Sequence, residues 1–83
     1  MSLNPSEIKG KIIGFIQENT FKETDNLEDA TLIFKDGYFD SMGFALLIDF
    51  LEEAFGIEAE DEDLVEENFE SVNAIAEFIL RKQ

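Results

Sequence analysis

The sequence predicts an all-α fold, a four-helix bundle with a long loop between helices one and two and a short third helix. Three observations carry this. Apolar residues recur at helical spacing in three separate segments, each segment opens on a residue suited to capping, and the one strand-like run finds no clear partner to pair with.

The first helix is predicted from "NPSEIKGKIIGFIQEN". Asn4 stands as N-cap, Pro5 at the first helical position, and Glu7 where it completes a capping box. Ile8, Ile12, Phe15 and Ile16 form one inward stripe, with Gly10 and Gly14 on the opposite side, each weakening the helix by about 1 kcal/mol.

Residues 20 to 40 have no sustained period and read as a loop pinned to the core by Leu27, Leu32, Ile33, Phe34, Tyr38 and Phe39. So long a loop in a small domain calls for pinning or a function. Asp36-Gly37 supplies a turn, and "TLIF" as a β-strand is the lesser alternative.

From Ser41 to Phe55 the period is helical again, and Gly56 stands where a left-handed residue ends the helix. Phe44, Leu47, Ile48, Phe50, Leu51, Ala54 and Phe55 share one broad inward arc. On the other side Met42, Ala45 and Leu46 are interspersed with Asp49, Glu52 and Glu53, an apolar strip in an acidic frame that begins one residue after Ser41. It reads either as a docking strip or as a surface covered by the loop or the third helix. "DEDLVEENF" predicts one short helix capped by Asp61 or Asp63, with Leu64, Val65 and Phe69 turned inward. The last helix is capped by Ser71, buries Val72, Ile75, Ala76 and Ile79, and carries Arg81 and Lys82 at its negative end.

The 83 residues make a single domain, 1–83, of a size that hides roughly 60% of its unfolded surface. Hydrophobic residues are 45% of the chain, nine of them Phe, and the absence of Cys rules out disulfides and thiolate zinc sites. Twenty Asp and Glu against six Lys and Arg leave a formal charge of −14, which repels nucleic acid and anionic membranes and attracts basic partners. No basic leader precedes an apolar run, and no stretch approaches the roughly 20 apolar residues of a membrane span, so a soluble, cytoplasmic protein is expected; a monomer is expected as well.

Enzyme chemistry finds little to work with. Ser41 as a nucleophile needs a base, the chain has no His, and the nearest Lys in sequence, Lys35, precedes a turn. The acidic run after residue 57 lacks the glycine of an EF-hand loop and has Val72 at its twelfth position counted from Asp61, so a solvated acidic face is the better reading. Paired carboxylates for glycosidase work are not singled out among the twenty. Asp40 or Ser41 serves at least as a helix cap, and a helix start also suits an attached phosphate.

The stretch "GYFDSMGFALLIDFLEEAFGI", followed by "DEDLVEENFESVNAIAEFI", resembles the carrier-protein family, which comprises acyl carriers, peptidyl carriers of nonribosomal synthetases and D-alanyl carriers. The resemblance covers residues 32 to 80 in sequence and the first helix by pattern. It implies that Ser41 is the attachment site of 4′-phosphopantetheine donated by coenzyme A, with Asp40 and Met42 in recognition roles. It further implies a non-enzymatic carrier of acyl or aminoacyl thioesters, modified by a phosphopantetheinyl transferase, charged by a ligase and served by downstream synthases. The cofactor brings the sulfur that the chain lacks. On this reading Met42, Ala45 and Leu46 dock partner enzymes while Asp49, Glu52 and Glu53 steer them. Leu46 departs from the family pattern, since carriers of type II fatty acid synthesis usually have an acidic residue there; a carrier for a specialised pathway is expected. A noncovalent acidic adaptor for a basic partner is the alternative.

Overall fold

The computed structural model describes residues 4–20 and 23–82. Among them the fold is all-helical: α1 (Pro5–Asn19), α2 (Ser41–Phe55), a 3-10 turn (Asp61–Asp63), α3 (Glu66–Phe69) and α4 (Val72–Lys82), with no strand. The "TLIF" segment is irregular at Thr31 and Leu32 and enters a run of turns at Ile33. None of the helices is long and apolar enough to cross a membrane.

The cap and stripe of α1 explain its place. Asn4 Oδ1 accepts the Glu7 N–H at 2.8 Å, and the Glu7 carboxylate accepts from the Asn4 side-chain amide, at 2.8 Å, rather than from its backbone. Ile8, Ile12 and Ile16 are fully buried where α1 packs on α4. α4 answers with Val72, Ile75, Ala76, Phe78 and Ile79, a stripe wider by Phe78 than the sequence reading. Ser71 Oγ accepts the Ala74 N–H at 3.1 Å and starts the helix.

The segment before α2 is fastened to several helices. Lys9 pairs with Asp29 at 3.4 Å, the Asn73 N–H donates to Asp29 O at 3.0 Å, and the Ile33 N–H donates to Glu70 O at 2.9 Å. Thr20 Oγ1 donates to Tyr38 O at 2.7 Å, tying the end of α1 to the chain just before α2. Ile33, Tyr38 and Phe39 are buried.

Eight phenylalanine rings, Phe55, Phe50, Phe15, Phe39, Phe34, Phe44, Phe69 and Phe78, form one unbroken run with centroid separations of 4.5 to 6.3 Å. Neighbouring pairs in this distance range each add about 0.5–1.5 kcal/mol beyond their buried area. The run crosses α1, the loop, α2, α3 and α4, so the loop is held by the same packing as the helices.

Three expectations are corrected. Ala54 is exposed at the edge of the α2 arc. Leu64 and Val65 are 41% and 43% exposed rather than inward, because the chain there breaks into the 3-10 turn and a one-turn helix, and of the three only Phe69 reaches the core. The caps also differ: Glu60 caps the 3-10 turn in a reciprocal bond with Asp63, and Val65 precedes α3 without a side-chain cap.

Glycine has opposite meanings in α1 and α2. A Cβ on Gly43 would stand 2.8 Å from Phe39 Cβ and 2.6 Å from Phe39 Cδ1, overlap that a shift of the ring tip alone does not relieve. A Cβ on Gly10 meets nothing within 4 Å, and no structural feature accounts for that glycine. Gly43→Ala is therefore expected to destabilise by about 1–3 kcal/mol despite alanine's better helix propensity. Gly10→Ala is expected to stabilise by about 1 kcal/mol. Urea unfolding followed by circular dichroism reads both signs.

Candidate functional site

The site is the start of α2, and the chain is delivered to it under constraint. The Tyr38 and Phe39 N–H groups both donate to Ile33 O, at 2.9 and 3.2 Å, after a turn that Gly37 makes at φ +86°. Asp40 then lies extended, and its Oδ1 accepts from the Met42 and Gly43 N–H groups at 3.1 Å each. Of the two candidate caps, Asp40 is the one that caps.

Ser41 is thereby released. It is the first residue of α2, it is exposed, and neither its hydroxyl nor its N–H has a hydrogen-bond partner among the described residues. With no base in contact, the hydroxyl is not activated by its own chain. No group of three or more metal-binding side chains comes together among the described residues. What the geometry provides is an exposed hydroxyl, without a partner among the described residues, at the positive end of a 15-residue helix.

Two clefts flank it. The first, of about 500 Å³, is lined by Phe34, Phe39, Asp40, Ser41, Phe44, Leu64 and Glu66. The second, of about 450 Å³, runs from Asn19 and Thr20 past Tyr38 and Phe39 to Met42, Gly43 and Leu46. The first has a mostly apolar wall with carboxylates on two of its edges.

The face predicted to meet partners divides. Met42 is 76% and Leu46 50% exposed, and Ala45, Asp49 and Glu53 are exposed with them, so neither the loop nor α3 covers the strip. Glu52 is half-buried, and its Oε2 accepts the Ala59 N–H at 3.0 Å. It ties down the chain leaving α2, which limits the steering role expected of it.

Sequence reasoning missed Gly43, Phe34, Leu64 and Glu66 as parts of the site. Gly43 carried a signal, a glycine in the first turn of an otherwise strong helix. The other three carried none, since it is tertiary packing that brings them beside Ser41.

The cap assignment has a direct consequence for stability. Asp40→Ala leaves two helix amides without their acceptor and is expected to cost about 1 kcal/mol, whereas Ser41→Ala, which removes no hydrogen bond, should stay within about 0.5 kcal/mol of the unaltered chain. Chemical denaturation of the two variants side by side measures this. Compared with known proteins, the chain matches no family model and no curated protein.

Proposed function

We propose that the chain is a carrier protein of the four-helix type, holding acyl or aminoacyl groups as thioesters on a 4′-phosphopantetheine arm attached to Ser41. The observation that carries this is the Ser41 hydroxyl: first in α2, exposed, and unpaired among the described residues because Asp40 has taken over the cap. A serine serving only as a cap would spend its oxygen on the helix amides. This one spends it on nothing.

The residues fit the group in a particular way. Asp40 already occupies the Met42 and Gly43 amides, so the helix end offers an attached phosphate its dipole and the Ser41 N–H. The Asp40 carboxylate beside it would repel a free anion. On this reading the phosphate is held covalently, through Ser41 Oγ, with a separate transferase activating the hydroxyl. Once bound, the arm supplies a terminal thiol for thioester chemistry.

The exposed Met42, Ala45 and Leu46, framed by Asp49 and Glu53, fit an apolar contact with enzymes whose surfaces are basic. From this face the transferase meets the hydroxyl, and the charging ligase and the downstream synthase meet the thiol of the attached arm. Leu46 in place of an acid directs the reading to a specialised pathway in the cytoplasm rather than to housekeeping fatty acid synthesis.

The test is enzymatic. Purified protein incubated with coenzyme A and a broad-specificity phosphopantetheinyl transferase should gain one arm by mass spectrometry, and Ser41→Ala should gain none. Modification at another residue, or no gain with a competent transferase, overturns the assignment and leaves the acidic adaptor as the reading.

A further inference from the structure

The wall of the first cleft that faces Ser41 is weakly built. It is contributed by Leu64 and Glu66. The 3-10 turn before them buries no residue, α3 buries only Phe69, and Leu64 and Val65 are exposed. Residues 60–67 also hold six carboxylates, a stretch that repels itself and the rest of an acidic chain. One core ring gives this segment little reason to keep a fixed distance from α2.

The missing restraint comes from the last turn of α4. Lys82 Nζ lies 2.6 Å from Asp63 Oδ2, which also accepts the Glu60 N–H at 3.0 Å. Arg81 Nη2 donates to Asn68 Oδ1 at 2.8 Å, and Asn68 Nδ2 donates to Asp63 O at 2.8 Å. Two of the chain's six cations are thus placed on the segment that closes the cleft. The hydrogen bond from Lys82, followed by that from the Glu60 N–H, holds the Asp63 carboxyl below its ordinary range, the direction that favours the charged, paired form.

We propose that Lys82 and Asp63 form a latch that positions the Leu64–Glu66 wall of the Ser41 cleft, so that the end of α4 sets how far the cleft opens. Both are positioning residues: neither lines the cleft, and they act through the backbone of residues 60–66. Phe69 keeps the segment attached when the latch opens. Release therefore swings the wall without unfolding the bundle.

The experiment is native-state hydrogen exchange on the unmodified chain, which keeps the outcome separate from whether Ser41 accepts an arm. Lys82→Met, which keeps the stem and removes the charge, is expected to speed exchange across residues 60–69 about three- to fivefold while Ile12 and Ile16 in α1 keep their protection. Lys82→Arg should restore the unaltered rates. Adding Asp63→Asn to Lys82→Met should change the wall little further, because the partner's charge is already gone. The proposal is overturned by unchanged exchange at the wall, by acceleration spread equally through α1, by failure of Lys82→Arg to restore, or by a second equal step from Asp63→Asn.

Discussion

One carboxylate oxygen organises the site. Asp40 Oδ1 takes two backbone amides of the first turn of α2, and only because it does so can the next residue present an uncommitted hydroxyl. The cap also fixes direction. The chain arrives extended from a turn pinned to Ile33, changes course at Asp40, and leaves Ser41 at the outer end of α2 between two clefts. A serine cap would hold the helix equally well and consume the oxygen.

That arrangement needs the incoming chain held still, and the aromatic packing does this. Phe39, immediately before Asp40, contacts Phe15 on α1 and Phe34 in the loop, and lies so close to Gly43 that no side chain fits between. The loop and the first turn of α2 are therefore locked on both sides of the cap. A loop held only by its polar bonds would let the cap and the serine move together. Here the residue before the cap is part of the core, whereas the opposite wall, Leu64 to Glu66, buries no residue.

Much of this was legible in the residues. The stripes of α1 and α4, the caps Asn4 and Ser71, and the left-handed Gly56 all follow from local rules of spacing and end chemistry, and the structure carries them out. Legibility failed where distant contacts decide. Ala54 fits the apolar arc of α2 but lines an open cleft shared with Lys11, Gly14 and Glu18 of α1, and Leu64 and Val65 read as helix interior although the chain there forms only a 3-10 turn and one turn of helix. Glu52 shares a face with Asp49 and Glu53, yet it is bonded to Ala59 seven residues on, a closure no periodicity reports. The serine itself was visible; that it is free rather than capping depends on which of two adjacent oxygens wins the amides, and only geometry decides that.

The account stands on Ser41 being an anchor. Intact-mass analysis and fragmentation of the protein purified from its own cells test it most directly, since they report on what the hydroxyl carries in use. A phosphopantetheine on the peptide containing Ser41 is the predicted result. A bare serine on every molecule, in cells with an active transferase, would contradict it.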